Sequence, residues 1–169
     1  MGIRLYYHRL TPRRLLRVLH DYDAFFRLHI ETIEAMLPNR VAVFHDDSLY
    51  FLYDPVRRRT DWGSLSEAES RPTTDVGKTI GGGHRMHDGF RDRQDFTLWY
   101  YTPDDVEAGA EALFRASPDF NEAFDLHWPE EKAAERRSAK ERLCGDIDRL
   151  RGLFLAAASE GDAMVRYWW

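Results

Sequence analysis

Gly81-Gly-Gly83, followed by His84, His87 and Asp88, is the cluster in this chain best equipped for chemistry. The glycines let a backbone take unusual angles or approach a ligand closely. Two imidazoles and a carboxylate, with Asp92 or Asp95 completing the shell, could hold a metal through nitrogen and oxygen. An i,i+3 histidine pair in a polar loop also arises by accident, and no second histidine motif matches it. The plain alternative is a solvent-exposed turn.

Other candidates are weaker. Gly77-Lys78-Thr79 invites a phosphate-loop reading, but that motif needs glycine five residues earlier, where this chain has Pro72. The residues from Leu65 to Arg71 do not read as the buried strand that should precede such a loop. Asp46-Asp47, Asp54 and Asp61 could pair carboxylates for acid–base work. Acids in turns more often cap or solvate, and nothing in the spacing fixes their separation. Cys144 lies between Leu143 and Gly145 beside an apolar helical stripe, which suits a structural cysteine better than a nucleophile. No Gly-x-Ser-x-Gly pattern is present.

Arginine supplies 21 of the 24 basic residues, the lysines being Lys78, Lys132 and Lys140. Arg57-Arg58-Arg59, with Arg13, Arg14 and Arg17, could form an anion or nucleic-acid patch, although a short arginine run is usually a solvated face. Trp99, Tyr100, Tyr101, Tyr167, Trp168 and Trp169 read as cross-strand packing partners. Strand alternation turns some of them outward, where they could rim a recognition surface.

Composition narrows the class. A chain of 169 residues, 43% hydrophobic and 14% aromatic, can bury a core without help, which fits one domain rather than disorder. The net charge of −5 argues against a dedicated nucleic-acid binder. Charge is uneven: residues 1–60 carry ten Arg against seven acids, so any basic surface is local. One cysteine forbids an internal disulfide and suits a reducing compartment. No secretory signal or membrane span is legible, so a cytoplasmic location is expected.

These residues must be positioned by regular elements. The chain opens on an alternating strand, Gly2 to His8. Thr11-Pro12 caps a short helix carrying Leu15, Leu16 and Leu19, and a second helix is expected from about Asp21–Asp23 through Met36. Residues 41–53 read either as a hairpin or as a strand followed by a short helix. From Asp54 to Asp95 no strong periodicity appears, and only anchors such as Trp62, Ile80 and Phe90 interrupt the polar residues. Phe96 to Tyr101 is a strand, and Thr102-Pro-Asp-Asp105 opens the next helix. A long helix beginning near Pro129 ends at Gly161 and passes into a C-terminal strand from Ala163.

The chain resembles the YfbM-like family of small bacterial proteins of unknown function. The resemblance rests on the Met1-Gly-Ile opening, Gly82-Gly83 ahead of a strand, Tyr101-Thr-Pro-Asp-Asp-Val106, and the ending Ala156 to Tyr167. The middle departs, with Asp47-Ser-Leu-Tyr-Phe-Leu-Tyr53 replacing a Trp-containing helical segment. The resemblance implies an α+β single domain and a bacterial, cytosolic protein, and it implies no catalytic residues.

The expected fold is α+β, with a small mixed or antiparallel sheet that includes both terminal strands and helices over one face. The expected function is a non-catalytic binding module, one version being an immunity-type protein that blocks a toxin. Its surface would draw on Gly82, Gly83, His84, His87, Asp88, Trp62 and Trp99. No cofactor and no resident metal are expected, and the partner would be a protein. The rival expectation is a metal-dependent or acid–base enzyme using the loop from Gly82 to Asp95 on a small polar substrate.

Overall fold

Two strands in this chain bury almost every side chain. All residues from Leu5 to Leu10 except Arg9 are buried, as are all from Ala163 to Tyr167. A strand apolar on both sides must be covered on both sides, and that requirement organises the fold. The structure is a computed structural model that describes residues 4–21, 23–28, 40–44, 74–86, 98–116 and 133–168.

β1 (Arg4–Leu10) and β5 (Ala163–Trp168) pair antiparallel at the centre of a five-stranded sheet among the described residues. β2 (Arg40–Phe44) flanks β1, while β4 (Leu98–Tyr101) and then the two-residue β3 (His84–Arg85) lie beyond β5. Each of these pairings is antiparallel. The terminal strands therefore lie side by side, as the alternating opening and the aromatic ending suggest.

Helices pack on both faces of this sheet, which corrects the one-face expectation. One face presents Leu5, Tyr7, Tyr101 and Met164 to three helices. These are α2 (Asp75–Gly81), α3 (Pro103–Arg115) and α4 (Ala133–Glu160). The other face presents Tyr6, Leu10, Val165 and Tyr167 to α1 (Pro12–His20) and to the helical residues 23–28. The alternation within β1 and β5 sorts the side chains into these two cores. Phe154 of α4 sits at the centre of the first core, 1% exposed and edge-on to both Tyr7 and Tyr101. Burying a side chain of that size contributes about 1.5–3 kcal/mol.

Local signals set the helix ends. Thr11 caps α1 by accepting from the Arg14 amide, with Pro12 at the first helical position. The Asp21 carboxylate accepts from the amides of Asp23 and Ala24, starting residues 23–28. Asp162 N donates to Ala157 O and Gly161 N to Ala158 O, the paired bonds that close a helix on a left-handed residue. Arg9 of β1 then grips both Glu160 and Asp162, tying that turn to the sheet.

Of the stretch from 54 to 95, residues 74–86 are described, the others lying outside the described residues. Residues 74–86 contain α2 and β3, and a helix of seven residues makes fewer than two turns, too few to show a repeat. Residues 41–44 form a strand, whereas the alternatives for 45–53 lie outside the described residues, as does the second helix beyond residue 28.

Candidate functional site

α2 is anchored by its C-terminal carbonyls. Thr74 caps the start, accepting from Gly77 N at 3.0 Å, and the Thr79 hydroxyl turns back to Asp75 O at 2.8 Å. At the far end three side chains from three strands converge. Tyr7 Oη and Arg166 Nη1 both donate to Ile80 O, the latter at 3.0 Å. Tyr101 Oη lies 2.9 Å from both Thr79 O and Gly82 O and shares its one proton between them. The last carbonyls of a helix carry partial negative charge, so a guanidinium there is well placed. Arg166 is 1% exposed, and Trp99, its register partner on β4, lies over its guanidinium at 4.1 Å. That distance suits a cation–π contact.

The glycine pair then turns the chain out of α2. A Cβ on Gly82 would fall 2.1 Å from Lys78 O. Gly83 takes φ +97°, and a Cβ there would meet Tyr100 O at 3.0 Å and the Tyr101 ring at 3.1 Å. No other residue type fits both positions without shifting the backbone. The turn delivers His84 onto β3 opposite Tyr100, with ring centroids 5.1 Å apart.

His84 Nε2 reaches Asp105 Oδ2 at 2.9 Å. That oxygen already accepts from Thr102 N at 2.8 Å and Thr102 Oγ1 at 2.6 Å, completing the capping box of α3. Burial alone would raise the Asp105 pKa, but the Thr102 hydrogen bonds and nearby His84 outweigh it and hold the carboxyl below its ordinary value. Asp105 is thus a fixed acceptor. It orients the imidazole and the helix start together.

Between α2 and α3 runs an open groove of about 890 Å³. His84 and Asp105 stand among its lining residues, Ala108, Gly109 and Ala112 of α3 contribute small side chains, and Lys78 and Arg115 line it too. Gly109 lets the helices close up, since a Cβ there would meet Phe154 and Thr79 side chains at 2.8 Å. Among the described residues, every charged side chain that lines this groove is paired within it: Lys78 with Asp75, Arg115 with Glu111, His84 with Asp105.

Of the residues singled out in the sequence, Gly82, Gly83 and His84 line this groove, whereas Trp99 stacks on Arg166. His87, Asp88, Asp92, Asp95 and Trp62 lie outside the described residues, as do Asp46, Asp47, Asp54, Asp61 and Arg57 to Arg59. Among the described residues no three His, Cys, Asp or Glu side chains gather as a metal site. Gly77-Lys78-Thr79 is helical rather than a loop, and Cys144 is half-buried on α4. The sequence marks Tyr101 only as one of the strand aromatics, and it does not mark Arg166 or Asp105 as site residues. The Thr102-x-x-Asp105 cap alone points to Asp105.

No protein-family model matches the chain, and no curated protein matches it. Among solved structures the fold is similar to that of YfbM from Escherichia coli, a protein of unknown function. The match has a TM-score of 0.60 and 13% identity, over 98% of this chain and 99% of that one. The likeness predicted from the sequence is therefore present at the level of fold, and at this identity it speaks to fold alone. No helix among the described residues is long and apolar enough to cross a membrane.

Proposed function

We propose that this protein is a non-catalytic interaction module that seats an extended segment of a protein partner in the α2–α3 groove. One observation carries the reading: among the described residues, every charged side chain lining the groove is already paired. Tyr101 Oη is likewise engaged by backbone carbonyls, and Thr79 Oγ1 by Asp75 O. Such a wall offers shape and ordered polar contacts, with the His84 imidazole held by an Asp105 carboxylate that also caps α3. The buried anchor beneath α2 favours recognition as well, because a rigid wall loses little entropy on binding. Small residues on α3 leave room for a partner's side chains. An immunity-type role, with part of a toxin held in the groove, is one case of this reading. The net charge of −5 favours a basic partner.

The test is selection of peptides from a displayed library on the intact chain, followed by affinity measurement against an Ala108→Trp variant. Ala108 is exposed on α3 and lines the groove, so an indole there fills it without entering the core. Selected peptides should weaken by about tenfold or more, the equivalent of about 1.4 kcal/mol. Peptides indifferent to the indole, or a selection that yields none, would overturn the reading.

A further inference from the structure

The His84–Asp105 pair leaves two acceptors open. Asp105 Oδ2 takes three hydrogen bonds, from Thr102 N, Thr102 Oγ1 and His84 Nε2, whereas Oδ1 takes none among the described residues. A carboxyl held below its ordinary pKa is an acceptor only, so the shared proton sits on His84 Nε2. In the neutral ring Nδ1 is then an acceptor as well, and it meets no partner among the described residues. The side chains of Asp105 and His84 are 38% and 53% exposed, and both line the groove, so a segment lying there meets them.

Both groups are also fixed in place. The cap of α3 holds Asp105, and the Gly82-Gly83 turn with the Tyr100 ring holds His84. Lys78 and Arg115 line the groove too and have N–H groups to spare. Each, however, is a long, exposed side chain paired with an acid three or four residues away on its own helix. Ordering such side chains on binding costs entropy, whereas Asp105 is already ordered. The fixed atoms therefore set the chemistry, and they accept. Lysine and arginine side chains only donate, and their bonds to a carboxylate are about twice as strong as neutral ones. Asp104, beside Asp105 in the first turn of α3, offsets the positive helix end that would oppose a cation there.

Resting on the groove reading above, we propose that the seated segment carries a lysine or arginine side chain whose charged end docks on Asp105 Oδ1. His84 Nδ1 accepts a second donor from the same segment. The net charge of −5 steers such a segment toward this chain.

Peptides selected from a displayed library on the intact chain test this, those weakened by Ala108→Trp being the groove binders. The groove binders should share a basic residue. Replacing it, norleucine for lysine or citrulline for arginine, should cost about tenfold or more in affinity on the parent chain. On Asp105→Asn, which keeps the side chain's shape, the same replacement should cost less than about threefold, because the two changes remove one contact. A melting curve shows that Asp105→Asn is folded at the temperature of the titration, and the peptide replacement on the parent chain decides the matter without any change to the protein. Groove binders without a shared basic residue, or with one replaced at no cost, would overturn the proposal and leave the groove reading standing. A cost equally large on Asp105→Asn would place the cation elsewhere and overturn it too. Peptides indifferent to Ala108→Trp would overturn the groove reading, and this proposal with it.

Discussion

Tyr7 and Arg166 face each other across β1 and β5, and both donate to one oxygen, the carbonyl of Ile80. Neighbouring strands at the centre of the sheet thus grip the end of α2 from one register position. The groove wall inherits its rigidity from that grip.

The two donors are not equivalent. Tyr7→Phe leaves the Ile80 carbonyl with its guanidinium partner, so a cost near ~1 kcal/mol is expected, typical of one neutral hydrogen bond. Arg166→Met removes a charge-assisted bond and the contact with Trp99, and should cost about 2–4 kcal/mol. The double variant should depart from additivity, because the pair shares an acceptor. Urea unfolding of the four chains measures it. Equal single costs that add would contradict the shared-acceptor account.

Asp105 predicts a pH dependence. Folding holds its pKa below the ordinary 3.8, so the carboxylate contributes stability at neutral pH. That contribution is whole above the unfolded value and is lost as pH falls through the lower folded one. Asp105→Asn should therefore be less stable than the parent above about pH 5, with the gap narrowing below about pH 4. Urea midpoints across that range check it. A gap that persists undiminished to the lowest pH would show that charge is not the cause.

Two helical glycines should respond in opposite directions. Gly109→Ala forces a methyl against Phe154 and Thr79, and should destabilise by about 1–3 kcal/mol despite the better helix propensity. A methyl added at Gly152 on α4 would meet nothing within 4 Å, so Gly152→Ala should stabilise by about 0.5–1 kcal/mol. Thermal unfolding distinguishes them. A stabilised Gly109→Ala would mean that α2 and α3 pack less closely than described.

What is legible in the sequence follows the range of the interactions. Thr11-Pro12 and Thr102-Pro103 mark helix starts because a cap acts within three or four residues. The strand from Ala163 is equally plain. α2 escapes a periodicity reading because it is short, and the two-sided cover because it depends on which strands become central. A trace of that cover exists: from Leu5 to Leu10 neither alternate set is polar throughout, since His8 sits between Tyr6 and Leu10. The site is the least legible part. His84 meets Asp105 across 21 positions and Arg166 meets Ile80 across 86, and no local pattern encodes such encounters.

The most direct test of the groove assignment is a solution NMR titration of the 15N-labelled chain with the tightest selected peptide. Perturbed amides should cluster in residues 74–84 and 101–116, and the Ala108→Trp chain should lose that pattern at the same peptide concentrations. Perturbations centred on α1 or on β2, with residues 74–84 unmoved, would contradict it.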